Sequence, residues 1–150
     1  MTNMANRDYE NCLLGSMLLD PSIVNDVMMT VTGNALVFGN NKAIFDAITD
    51  LVSHGKPVDV LTVSDKSGVD MVTLSNLTDN IPSGANAIFY AEKINKLYMA
   101  REAKRNLIAA AEQIYDENVV DVVSQLDSNL NAITSQRPFS GNQIRQQQAS

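Results

Sequence analysis

Apolar residues return every three or four positions along most of the chain, the repeat of an amphipathic helix rather than the alternation of a half-buried strand. Tyr9, Leu13 and Met17, with Leu14 and Leu18 beside them, predict a first helix from about Asp8 to Leu19. Asp20-Pro21 marks a boundary, because Asp caps a helix whose first position tolerates Pro. Ile23, Val24, Val27 and Met28 predict a short second helix that ends before Gly33. Residues 31–40 hold two Gly and two Asn and read as a loop with Leu36, Val37 and Phe38 tucked inward. Asn40 is placed to cap a third helix through Ile44, Phe45, Ile48, Leu51 and Val52, which stops at His54-Gly55. Asp59 and Asp70 are placed to cap two more, through Val63 and through Met71, Leu74 and Leu77. The β-branched residues between Val58 and Thr73 suit strands equally well by propensity. No tight turn pairs them into a hairpin, so helix is the reading here.

Ile81-Pro82-Ser83-Gly84 breaks the pattern, and residues 85–115 then run without Pro or Gly. This stretch is rich in helix formers, and about eight turns of it reach ~45 Å, more than a small head can cover. Asp116-Glu117-Asn118 interrupts it, and Val119, Val122, Val123, Leu126, Leu130 and Ile133 predict a second amphipathic helix. The fold expected is all-α: a small helical globular head over residues 1–96, then a long antiparallel helical hairpin over 97–134. The polar tail 135–150, with Pro138 and Gly141, reads as a linker toward a domain outside the chain. The hairpin's apolar stripes exceed what two helices bury between them, which predicts self-association. Leu107, Ala111, Ile114, Val123, Leu126 and Leu130 are the expected interface between protomers.

Charge changes this picture in one respect. The 150 residues carry a formal charge of −6, and all of it falls in residues 1–80, where four Lys/Arg face ten Asp/Glu. Gripping nucleic acid needs a basic surface, so little direct DNA binding is expected. Residues 92–105 are the exception at +3, and there Arg101, Lys104 and Arg105 are candidates to meet an acidic protein surface or a phosphate backbone. Tyr98, one ring among these charges, is too little for a stacking platform. At the hairpin turn, Tyr115 beside Asp116 and Glu117 has the composition of an interaction hot spot, an aromatic anchor with a charged rim.

Catalytic chemistry finds no footing. Gly55-Lys56 lacks the glycine five positions earlier that a phosphate-binding loop needs, and Pro57 replaces its hydroxyl residue. His54 has no nucleophile in a recognisable setting and reads as a surface residue at a helix end. Cys12 reads as a small core residue. One Cys and one His make neither an internal disulfide nor a structural zinc site. No apolar run approaches a membrane span, and residues 1–8 have no signal-peptide character, so a cytoplasmic, soluble protein is expected. Read from its residues alone, the chain is an all-helical interaction module.

Three blocks, in order, carry a resemblance. Glu10 to Pro21 (ENCLLGSMLLDP) is the first. Ala43 to Ile48 (AIFDAI), followed by Gly55-Lys56-Pro57-Val58-Asp59 and Leu61-Thr62-Val63, is the second. Leu74 to Leu77, Asn80 to Asn86 and Tyr90-Ala91 make the third. Together they resemble the N-terminal domain of the DnaB-type replicative helicases over residues 9–91. The chain departs from that pattern in VFGNNKA, where only Phe38 persists of an aromatic and Arg-Pro-x-His stretch, and in a shortened segment between Thr62 and Leu74. It looks like a divergent member.

The resemblance implies a domain without ATPase activity or cofactor of its own. It implies dimers formed through the hairpins and a collar of three dimers on a hexameric motor ring. Primase and the helicase loader are the implied partners, and ATP and Mg belong to the implied motor domain of an ATP-dependent parent helicase. A different class of protein, a free-standing adaptor or decoy that regulates a helicase or primase, fits the same residues.

Overall fold

The computed structural model describes residues 5–79 and 81–135, and among them it is all-α. Its α-helices are α1 (Arg7–Leu19), α2 (Val24–Met28), α3 (Asn41–Ser53), α4 (Val60–Ser67), α5 (Met71–Asp79), α6 (Ala87–Gln113) and α7 (Val119–Ser135). Short 3-10 turns occupy Pro21–Ile23 and Gly33–Ala35. The expected linker lies outside the described residues from 136 onward; Ser135 itself closes α7.

The starts of the helices show why local signals sufficed. Asn6 caps α1 by accepting from the Tyr9 N–H at 3.0 Å. Asp59 and Thr62 form a reciprocal capping box on α4, and Asp70 accepts from the Thr73 N–H at 2.7 Å to start α5. These caps, with Val63 and Leu74 turned inward, are what make helices of a stretch that suits strands by propensity. At the end of α3, the Gly55 N–H reaches Val52 O and the Lys56 N–H reaches Leu51 O. Gly55 sits at φ 67°, so Gly55-Lys56 is a helix terminator of the Schellman type.

Helix α1 lies at the centre of the head and packs against α3, α5 and α6. Leu13, Leu14, Met17, Ile44, Ile48 and Leu74 are fully buried around it. Gly15 is required where α1 meets α5: a Cβ there would overlap the carbonyl oxygen of Leu77 and the side chain of Ile81. The first half of α6 closes the head with Ala87, Ala91 and Ile94, and its second half leaves the head and pairs with α7. Over 27 residues α6 spans about 40 Å.

Three details correct the sequence reading. Asn40 precedes α3, but its side chain caps nothing, since its backbone is not extended as a capping residue requires. In the loop, Leu36 is buried, whereas Phe38 is only half-buried and Val37 is exposed. Cys12 is half-buried rather than part of the core, because it faces an open cleft between α1, α3 and α5.

The reason for the loop's path is Glu10, a buried carboxylate inside an apolar helix. Its oxygens accept the Val37 N–H at 2.9 Å, the Phe38 N–H at 3.2 Å and the Asn41 side-chain amide at 3.0 Å. Three donors replace the water that burial removes. Arg7 lies 5.0 Å over the Phe38 ring and holds the same loop from outside.

Candidate functional site

The surface that sets this molecule apart is the arm made by α6 beyond Tyr98 and by α7. None of the 17 residues of α7 is buried, although its apolar repeat is regular. The seam with α6 mixes polar, small and apolar residues: Asn129 donates across it to Asn106 at 3.0 Å and accepts from Gln125 of its own helix at 2.9 Å, and Ala109, Ala110, Val122 and Leu126 line the gap. Two helices joined this way leave several larger apolar side chains outside. Leu107 and Val123 are each 50% exposed, and Ile114 and Ala111 are exposed too. Leu126 and Leu130 are half-buried. Leu107, Ala111 and Ile114 follow one another at four- and three-residue steps, so they share one stripe of α6. Val123, Leu126 and Leu130 do the same on α7.

The polar candidates divide into two places. At the shoulder, where the arm leaves the head, Arg101 reaches back and donates to the Ala35 carbonyl at 2.9 Å, with its guanidinium 5.7 Å from the Tyr98 ring centre. Arg101 therefore braces the arm against the head. Arg105 pairs with Glu102 at 2.9 Å, a neighbour on its own helix, and Lys104 is exposed. These three with Ile108, Ala109 and Glu112 line a shallow open cleft of about 430 Å³. It is a cationic rim around an apolar floor.

At the tip, Asn118 closes the turn: it accepts from the Tyr115 N–H at 2.8 Å and donates to the Gln113 carbonyl at 2.9 Å. The Tyr115 ring is 58% exposed, and Asp116 and Glu117 are exposed beside it. The tip and the shoulder are not brought together within one chain.

A third group escaped sequence reading. Tyr9, Phe89 and Tyr90 cluster on the head, where the start of α6 packs on α1, with ring centres 5.6–6.5 Å apart and Lys93 Nζ 5.5 Å from the Phe89 centre. The Cys12 thiol beside Tyr90 pushes its hydroxyl pKa above the ordinary 10.0, and burial adds to the shift. The signal available in the sequence was Phe89-Tyr90 four residues before Lys93; Tyr9 joins them only through folding.

Among the described residues no group of three or more His, Cys, Asp or Glu could hold a metal ion, and no helix is long and apolar enough to cross a membrane. His54 is exposed, with Nδ1 2.8 Å from the Asp50 carbonyl at the end of α3. What the arrangement offers is surface for other macromolecules.

Comparison with known proteins identifies the family. The replicative DNA helicase DnaB of Leifsonia xyli subsp. xyli is 30% identical over 141 residues, covering 83% of this chain and 30% of the relative. That of Treponema pallidum is 28% identical over 140 residues, covering 88% of this chain and 30% of the relative. The chain thus spans about a third of the length of these relatives. In fold it is similar to the crystal structure of the N-terminal domain of DnaB helicase from Mycobacterium tuberculosis. The TM-score is 0.74 at 23% identity, covering 86% of this chain and 98% of that one. It is also similar to part of a DnaB-like replicative helicase whose structure was described with its interactions with primase. There the TM-score is 0.66 at 22% identity, covering 85% of this chain and 31% of that one. The family model for the DnaB-like helicase N-terminal domain matches residues 2–96, and the chain belongs to that family.

Proposed function

We propose that this domain assembles and equips a replicative helicase: it pairs copies through the arm, contributes to a collar on a hexameric ring, and docks primase and the loader, while ATP hydrolysis and Mg binding belong to a motor domain. The observation that carries the reading is α7, a regular amphipathic helix with no residue buried. A face built from Leu107, Ala111, Ile114, Val123, Leu126 and Leu130 gains its cover from a second arm, and burying apolar area at ~25 cal/mol per Å² is what drives such pairing.

Primase is assigned to the shoulder. The cationic rim of Lys104 and Arg105 around Ile108, held in place by Arg101 on the head, suits an acidic partner segment with an apolar anchor. The acidic head repels such a segment and so directs it there.

Light scattering on the chain at high micromolar concentration tests the assembly: a dimer is expected, and a monomer overturns the reading. Leu126→Asp or Leu107→Asp should weaken the dimer by about 1–3 kcal/mol, the range of interface hot spots, and by more than Glu112→Lys. Titration of cognate primase against Lys104→Glu/Arg105→Glu by calorimetry tests the docking. The reading frame after Ser150 separates this function from a free-standing adaptor: a Walker motif supports the helicase, a stop codon the adaptor.

A further inference from the structure

The head carries a cleft of its own, between α1, α3 and α5, and no residue of the arm lines it. It holds about 500 Å³, within the range of sites that take small molecules. Cys12, Ile44, Leu77 and Ile81 give it an apolar wall. Its polar groups are chiefly carboxamides, those of Asn11, Asn41 and Asn76, and Asp8 is the one charged residue of the lining.

Asn41 is the telling member, because it is only 8% exposed and yet half of its amide is unused. Its nitrogen donates to Glu10 Oε1 at 3.0 Å and to Asn11 Oδ1 at 3.2 Å, so both N–H groups are spent. Its Oδ1 accepts from no described residue. Among the described residues no side-chain nitrogen or oxygen is both buried and unpartnered, so this oxygen opens to the cleft that Asn41 lines. The same bond leaves the Asn11 nitrogen with its donors open. Asn76, exposed on α5, adds a second amide with no partner among the described residues. The cleft therefore offers unused donors and an unused acceptor above an apolar wall.

Each simple class of ligand leaves something unmet. An anion meets Asp8 and a head whose residues 1–80 carry −6. A cation suits the Asn41 oxygen but faces the N–H groups of Asn11. A purely apolar ligand strands both amides. A flat, neutral ring with donors and acceptors around its edge and apolar faces satisfies all of them, and that is the chemistry of a nucleobase. Proteins that read a lone base do so through its edge while aliphatic or aromatic side chains cover its faces.

We propose that the head cleft binds an uncharged nucleoside, the edge of its base on Asn11, Asn41 and Asn76 and its faces against Ile44, Leu77 and Ile81. The inference is independent of the pairing and docking above, and a monomeric chain serves its test equally well.

Calorimetry with adenosine, guanosine, cytidine and uridine, together with alkylation of Cys12 by iodoacetamide, tests this. At least one nucleoside should bind one to one and slow the alkylation of Cys12, which is the chain's one cysteine and stands in the cleft wall. Asn11→Asp keeps the oxygen that Asn41 bonds and replaces the open N–H groups with an acceptor, so it should weaken that nucleoside about tenfold. Asn76→Trp, at an exposed position clear of the Glu10 network, should block the cleft without disturbing the fold. The matching 5′-monophosphate should bind several-fold more weakly than the nucleoside, and Asp8→Asn should narrow that gap. Absence of both heat and protection with all four nucleosides at millimolar concentration overturns the inference. So does binding that leaves Cys12 alkylation unchanged, or that either Asn variant leaves unmoved, because the ligand then lies elsewhere. A monophosphate that binds as well as its nucleoside overturns the choice of an uncharged ligand. Protection of Cys12 by oligothymidylate but by no nucleoside overturns the inference too and gives the cleft to single-stranded DNA.

Discussion

In the head, α1 puts Leu13, Leu14, Met17 and Leu18 out of reach of water, whereas in the arm α7, with an equally regular apolar repeat, buries none of its residues. The difference is not in the helices themselves. Among the described residues helix α1 has neighbours on several sides, α3, α5 and α6, while α7 packs chiefly on α6, across a seam of Asn106, Asn129, alanines, Val122 and Leu126. One helix covers one side of another, so an amphipathic helix with one chief neighbour keeps an open apolar face. An amphipathic repeat therefore records that a face is to be covered, not what covers it.

The comparison is broken most forcefully by large-to-small substitution. Leu14→Ala in the head should cost about 2–5 kcal/mol of stability by urea denaturation, through lost burial and the cavity left behind. Leu126→Ala should change the stability of the monomeric chain by much less and act on dimerisation instead. Equal losses at both positions in dilute, monomeric protein would mean that the arm has a core of its own.

Next in size is the clamp on the loop. Glu10→Leu strands the N–H groups of Val37 and Phe38 and the amide of Asn41, and should cost about 2–3 kcal/mol. Glu10→Gln keeps an acceptor oxygen and should cost less. Hydrogen exchange at the Val37 and Phe38 amides reads the effect directly, and exchange in α7 should not respond.

Acid should touch the head selectively and weakly. Hydrogen bonds from the Thr73 backbone and side chain hold the Asp70 pKa below its ordinary 3.8, and the hydrogen bond from Lys66 does the same for Asp50. A depressed folded pKa contributes stability above the unfolded value and loses it as pH falls through the folded one. Below about pH 4 the cap of α5 and the α3–α4 ion pair should therefore weaken, seen as a lower melting temperature at pH 3 than at pH 5. The exchange pattern of α7, whose interior contacts are amide and apolar, should stay as it was.

The legible part of the molecule was the part set by neighbours in sequence. Asp59 and Asp70 announce their helices because a cap is a contact across three residues. Gly55 and Gly68 announce their ends because a left-handed residue favours glycine. The hairpin, the exposed stripe and the acidic tip followed from periodicity and from where charges fall.

Contacts distant in sequence were beyond that reach. Nothing local says that Glu10 will meet Val37, Phe38 and Asn41, about 30 positions on, or that Arg101 will reach Ala35. Tyr9 joins Phe89 and Tyr90 only because α1 packs on α6, and Gly15 shows its purpose only where α5 crosses it. The sequence by itself settled which residues form helices and which faces are apolar, since both depend on backbone bonding and spacing within a few turns. The tertiary structure decided which of those faces found cover, because cover depends on how many helices arrive from elsewhere, and among the described residues the arm's α7 packs chiefly on α6.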